Sequence, residues 1–353
     1  MKTLSSIIRL LLIGGVSLAP FTNAVAQATK TKVKAETRPA IPYQAAIDHA
    51  YAKYKDLKEG KNADYIKELA NVDPNIYGIA IVTVDGQVFT KGDLDSRVSI
   101  QSISKVFTLA KVIEEQGAKA IVEKIGVDAT GLRFNSIVAI ELQRGKEINP
   151  LVNPGAIAAV SMIAGADSAA KWKNVLKTHS DFAGAPLLVN EPVYISEAGD
   201  NLRNQAIAHL LLAYGRMYFD PVQSTDVYTK QCAINVNAKD LAVMAATLAS
   251  GGTNPITKTK VVSPATCAFT MSVMATAGLY DDSGQWLYEV GLPAKSGVGG
   301  GIIAVCPGKF GIAVISPPLD AAGNSVKARK TITDIVQELK LNPYMVETAN
   351  KGF

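Results

Sequence analysis

The chain predicts an α+β fold: one antiparallel sheet drawn from both ends of the sequence, flanked by terminal helices, with an all-helical block inserted between the two halves. Three observations predict it. Near the N-terminus, YGIAIVTVDGQVFTKGD holds an apolar run from Ile79 to Val84, an Asp85-Gly86 turn and a return from Gln87 to Thr90, the signal of a β-hairpin. Near the C-terminus, GGIIAVCPGKFGIAVISPPLD holds two apolar strands, Ile302 to Val305 and Phe310 to Ile315, joined by Pro307-Gly308-Lys309. Between these groups, from Ser102 to about Leu248, apolar residues recur at helical spacing instead.

Taken in order, the elements follow from local chemistry. Lys2 and Arg9 precede a short apolar run, Leu10 to Ala19, and Ala24-Val25-Ala26 supplies a small-residue cleavage site, so residues 1–26 read as a secretory signal peptide. A polar leader with the basic cluster KTKVKAETR follows. Ile41 to Leu57 then carries Ile47, Ala50, Tyr51 and Tyr54 on one helical face. LRNQAIAHLLLAYGRMYF and NAKDLAVMAATLASGG are the clearest helices of the central block, the second stopped by Gly251-Gly252. A last amphipathic helix, Val326 to Leu339, lines up Ile332, Ile335, Val336 and Leu339. The expected organisation is a discontinuous sheet domain, 37–100 with 255–349, and a helical domain, 101–254.

Bulk properties exclude several classes. A chain of 353 residues that is 48% hydrophobic and 19% charged is neither disordered nor a membrane bundle. Its net charge of +5 is dispersed, which gives no nucleic-acid footprint. Cys232, Cys267 and Cys306 form no metal pattern and read as mostly buried small hydrophobes, with one disulfide open to them in an oxidising compartment. His49, His179 and His209 are scattered; neither H-E-x-x-H nor G-x-S-x-G occurs in the mature chain. Hydrolytic chemistry here requires a base other than His, and no metal or organic cofactor is expected.

Such a base stands in IQSISKVFTLAKVIEEQG. Ser102 and Lys105 share the first turn of an amphipathic helix that ends at Gly117, an S-x-x-K arrangement in which a Lys serves a Ser nucleophile. Far downstream, LPAKSGVGGGIIAV opens with Lys295-Ser296-Gly297 and feeds a strand; it matches no nucleotide loop. Glycines at a strand edge admit close approach and leave N–H groups for an oxyanion. S-x-x-K at a helix start with K-[ST]-G on a late strand is the signature pair of the serine β-lactamase and penicillin-binding-protein fold. Ser102 falls at the junction of the two expected domains, where clefts form.

The chain also resembles the bacterial glutaminases of the serine-dependent, β-lactamase-like family. The resemblance runs from the DG hairpin through IQSISKVF, GLRFNS, NPLVNPGAI, SEAGDNLRNQAIA, YTKQCAINVNAKDLAVMAATLASGGTNP, MATAGLYDDSGQW and GLPAKSGVGGGI to PPLDAAGNSVKA. It implies Ser102 as nucleophile, Lys105 as its base and Tyr228 as a third catalytic group. It further implies that Asn153, Glu197 and Asn204 hold the substrate's amino-acid head, that Tyr228 and Tyr280 line the site, and that Val298 donates its backbone N–H to the oxyanion. Lys295 is a supporting residue. Pro154 stands where the family has a small residue, and Thr229-Lys230 where an aromatic is common.

These roles suit the chemistry. Lys105 is a base only when neutral, which needs desolvation or a neighbouring cation such as Lys295. A free amino acid presents a cationic amine, which calls for one buried carboxylate, and neutral Asn and Tyr donors suit its carboxylate. The resemblance implies hydrolysis of L-glutamine to L-glutamate and ammonia through a glutamyl ester on Ser102, by a homodimer or homotetramer; the signal peptide adds export, periplasmic or secreted, free of the membrane once it is removed. The rivals are a β-lactamase or D,D-peptidase, against which the chain lacks S-D-N and Y-x-N between the lysine motifs, and a non-catalytic sensor of amino acids or antibiotics.

Overall fold

Both strand groups enter one sheet. The computed structural model describes residues 41–142 and 148–345; the signal-peptide reading of residues 1–26 lies outside the described residues. The strands are β1 (Gly78–Thr83), β2 (Val88–Gly92), β3 (Val98–Ser99), β4 (Asn235–Val236), β5 (Ala294–Gly297), β6 (Gly301–Cys306) and β7 (Phe310–Ile315). Five of them form an antiparallel sheet in the order β2-β1-β7-β6-β5. The two ends of the chain meet at its centre, where Ile81 of β1 faces Ile312 of β7.

Because strand side chains alternate, each strand feeds two layers. On one face Ile79, Ile81, Ile302, Ile312 and Val314 pack against the first helix (Tyr43–Tyr54) and the last (Val326–Glu338). On the other, Ala80, Val82, Ile303, Val305, Ala313 and Ile315 join the core of the helical block. The helix Ala238–Ala249 covers this second face, so the sheet is not enclosed by terminal helices alone. The reason is composition: β6 and β7 are buried throughout, and the terminal helices cover one side only. Each fully buried Ile or Val contributes roughly 1.5–3 kcal/mol relative to exposure. Gly311 allows the close seat, since a Cβ there would fall 2.1 Å from the backbone nitrogen of Ala246.

In the helical block the helix Ser104–Gln116 is central. The sequence reads as amphipathic, yet every residue from Ser104 to Ala110 is buried, and solvent is met only at Lys111 and from Glu114 onward. A stretch enclosed on all sides carries its polar side chains into the core, and here these are Ser104, Thr108 and, the one that can be charged, Lys105. Ahead of it, β3 pairs with β4 (Ser99 opposite Asn235), which ties the segment entering the helix to the chain just after the helix Pro221–Cys232. Two-residue strands leave no periodic trace in sequence.

Candidate active site

From β3 the chain passes through a short 3-10 turn, Gln101–Ile103, and into the Ser104 helix. Gln101 adopts φ +50°, a conformation uncommon outside glycine. Its side-chain amide donates to Ser99 Oγ (3.1 Å) and to Glu197 Oε1. Ser102 follows and opens onto a cavity of about 460 Å³ whose walls include Asn153, Glu197, Asn204, Tyr228, Tyr280 and Val298. All seven of the expected substrate-side residues are therefore brought together. Lys105 and Lys295 lie behind the wall, fully buried.

Asn153 is the hub. It opens the helix Asn153–Met162, and Pro154 sits in the first turn, where a missing N–H costs nothing. Its Oδ1 accepts from Lys105 Nζ (2.7 Å) and from the Tyr228 hydroxyl (3.1 Å), while its Nδ2 donates to Asn204 Oδ1 (3.1 Å). Burial brings the Lys105 ammonium down to about 8. Burial moves the Tyr228 phenol the other way, well above its ordinary range. At neutral pH the pair is thus a lysine close to losing its proton and a tyrosine that holds its own.

Lys295 differs from expectation in one respect. Its Nζ donates to the carbonyls of Gly278 (2.9 Å) and Ser296 (2.8 Å), and burial, with the Lys105 charge second, holds it well below the usual lysine range. For Lys105 the lowering comes from burial and not from Lys295.

Glu197 lies in the last part of the helix Glu191–Gly199 rather than in a loop. Burial raises its carboxyl to about 7, opposed by the hydrogen bond from Gln101. Cys232 also reaches the cavity, but burial raises its thiol to about 12, which leaves it protonated and a poor nucleophile. Tyr280 stands opposite in a 3-10 turn, its hydroxyl interacting with Ser102 and, at the long limit of 3.5 Å, with the Ser296 carbonyl. Its ring centroid lies 4.3 Å from Lys295 Nζ and 5.1 Å from the Phe134 ring.

The glycine run has a second purpose that sequence spacing does not reveal. A Cβ on Gly297 would approach the Ile100 carbonyl oxygen to 2.7 Å, and one on Gly299 the Ser99 oxygen to 2.2 Å. Bare backbone here lets the β5–β6 turn press against the segment that delivers Ser102.

Gln101 and Tyr65 are among the lining residues that escape sequence reasoning. Gln101 is a buried polar residue inside an apolar stretch, and that mismatch is the signal available. Tyr65, 62% exposed at the cavity wall, comes from a polar loop with no motif. All three cysteines are free and buried. Among the described residues, no cluster of His, Cys, Asp or Glu is placed to hold a metal ion, and no helix is long and apolar enough to cross a membrane.

An α+β scaffold that sets Ser102 on a polar cavity with Lys105 buried behind it, and Glu197 in the cavity wall, defines the class as hydrolytic enzyme. The family is more specific. The glutaminase family model matches residues 60–344. A glutaminase of Colwellia psychrerythraea is 52% identical over 309 residues, which are 88% of this chain and 99% of that one. A solved structure described as a probable glutaminase, ybaS, superimposes with a TM-score of 0.85 at 45% identity, covering 86% of this chain and 98% of its own. Mglu, solved in its L-glutamate binding form, gives a TM-score of 0.82 at 33% identity, covering 87% of this chain and 70% of its own. The chain belongs to the glutaminase family and is a glutaminase-type hydrolase.

Proposed function

We propose that this enzyme hydrolyses L-glutamine to L-glutamate and ammonia through a glutamyl ester on Ser102, on a β-lactamase/penicillin-binding-protein-like scaffold. The observation that carries the proposal is the convergence of Lys105 and Tyr228 on Asn153 behind the cavity onto which Ser102 opens, with Glu197 in its wall. Neutral Lys105 has two N–H bonds and one lone pair. Donation to Asn153 fixes one N–H and leaves the lone pair for the Ser102 hydroxyl proton. Apo hydrogen bonds of this kind commonly tighten when substrate binds. Ser102 Oγ then attacks the side-chain amide carbon, and the oxyanion takes the Val298 N–H. Lys105 passes the proton to the leaving nitrogen, which departs as ammonia. Water attacks the ester, Lys105 accepts its proton and returns it to Ser102, and glutamate leaves.

Glu197 receives the substrate amine, while Asn153, Asn204, Tyr228 and Tyr280 supply neutral contacts to the rest of the head. The relative solved in an L-glutamate binding form supports this reading of the pocket. Tyr228 as phenolate base is disfavoured by its raised phenol. The further reading is an exported homodimer or homotetramer. Purified protein offered glutamine, asparagine and a chromogenic β-lactam is expected to release ammonia from glutamine and to leave the lactam ring closed. Ring opening without ammonia release would replace this proposal with the β-lactamase reading. Mass analysis of mature protein from the native host checks cleavage after Ala26, and light scattering checks the assembly.

A further inference from the structure

Of the four non-glycine residues with positive φ among the described residues, two line the cavity: Gln101 and Tyr280, at φ +50° and +53°. Such backbone persists only where its surroundings over-determine it. For Gln101 the surroundings are Ser99 and Glu197. For Tyr280 they lie outside the cavity.

The turn Tyr280–Asp282 is held from three sides. Ser283 Oγ accepts from the Leu279 N–H (2.9 Å) and donates to the Tyr280 carbonyl (2.8 Å). Fully buried Asn324 donates through Nδ2 to the Leu279 carbonyl (3.4 Å) and to Asp282 Oδ2 (3.3 Å). Its own loop backs the Tyr280 ring, since a Cβ on Gly323 would lie 3.7 Å from that ring. Arg329, on the C-terminal helix, donates through Nη1 to the same Asp282 Oδ2 at 2.7 Å, in a pair whose side chains are only 18% and 24% exposed. The remaining fork reaches Glu289 Oε2 (3.4 Å), and Asp320 Oδ2 lies 3.9 Å from Nη1. Asp320 in turn accepts from the backbone N–H groups of Ala322 and Asn324. One guanidinium therefore ties together the Tyr280 turn, the helix after it and the loop behind the ring. The shared oxygen of Asp282 is the joint.

We infer that Arg329 is a positioning residue: through Asp282 and Asn324 it fixes the turn that presents the Tyr280 hydroxyl to Ser102. The inference rests on the reading that Tyr280 contacts the reacting groups. Loss of the guanidinium frees the turn to relax, and small misplacements of a reacting contact cost up to about a hundredfold in rate.

The test is a double-mutant cycle of Arg329→Gln with Tyr280→Phe, repeated with Asp282→Asn as the second route to the same break. Each rate is normalised to active sites titrated with a reactive glutamine analogue, and thermal midpoints are recorded alongside. The expected result is a kcat per titrated site about 10- to 100-fold lower in Arg329→Gln, a comparable loss in Asp282→Asn, and little further loss when Arg329→Gln is added to Tyr280→Phe. A merely structural role predicts a lower midpoint and fewer titratable sites at unchanged kcat per site, and that outcome overturns the inference. So does full additivity in the cycle. If Tyr280→Phe itself turns over normally, the role of Tyr280 falls first and the inference with it. If Tyr280→Phe is impaired while Arg329→Gln and Asp282→Asn match wild type, the inference alone falls.

Discussion

Two fully buried lysines stand behind one cavity, Lys105 at the front of a helix and Lys295 on a sheet strand, and their surroundings divide them. Lys295 donates to two backbone carbonyls and has the Tyr280 ring beside it. Lys105 donates to a single side chain, Asn153, and its Nζ lies 5.8 Å from the Tyr228 ring centroid. Burial lowers both, and on Lys295 the Lys105 charge acts as a second cause. A buried amine pinned between carbonyls is a strut joining strand to turn. A buried amine with one fixed partner and a titration near neutrality is suited to exchange protons. The difference comes from partner count and geometry, because burial is common to both.

That contrast is open to direct attack, beginning with the nucleophile both lysines flank. Ser102→Ala is expected to lose turnover on the order of 10⁶-fold, as nucleophile removal does in another serine hydrolase, while calorimetry still registers L-glutamine. A reactive glutamine analogue should label Ser102 in wild type; an adduct on Cys232 instead would break the account at its root. Lys105→Arg keeps the charge but cannot release a proton, and should lose roughly 10²–10⁴-fold. Glu197→Gln should raise KM far more than it lowers kcat, by about ten- to a hundredfold, since a charge-assisted hydrogen bond is worth roughly 1.5–3 kcal/mol. A collapse of kcat at constant KM would make Glu197 a catalytic group. With the Glu197 carboxyl raised to about 7, wild-type KM should climb as pH falls below that value, because the carboxylate that binds the amine becomes neutral. The smallest effect belongs to the strut. Lys295→Met removes a donor from the Gly278 and Ser296 carbonyls, so its thermal midpoint should fall, yet the pH midpoint of acylation should remain near 8 because burial, not Lys295, lowers Lys105. An upward shift of that midpoint would mean the two lysines are charged together.

Sequence reasoning reached the parts of this arrangement that repeat or carry motifs. The hairpin and the late strand pair follow from apolar runs bounded by turn residues and the terminal helices from the 3.6 period, and the strands β1, β2, β6 and β7 lie where those signals put them. Ser102, Lys105 and the Lys295 strand were legible as spaced motifs. What stayed hidden is non-local. Nothing in NAKDLAVMAATLASGG says that its helix seats on the sheet, because the decisive contact is bare backbone at Gly311, far along the chain. The ladder of β3 with β4 is too short to leave a period. Gln101 and Tyr65 carry no motif, and the partners that hold Lys295 are backbone carbonyls at Gly278 and Ser296 that any sequence would supply.

The central claim is that Lys105, which loses its proton near pH 8, is the base for Ser102. Single-turnover acylation measured from pH 6 to 10, a span that brackets about 8 on both sides, tests it in wild type, Lys105→Arg and Tyr228→Phe. The wild-type rate should rise with pH through a midpoint near 8, as the amine deprotonates, and then level. Lys105→Arg should be slow at every pH with no such rise, and Tyr228→Phe should keep the wild-type midpoint at a reduced rate. Near-wild-type acylation by Lys105→Arg, with Tyr228→Phe as inactive as Ser102→Ala, would contradict the account and move the base to the tyrosine.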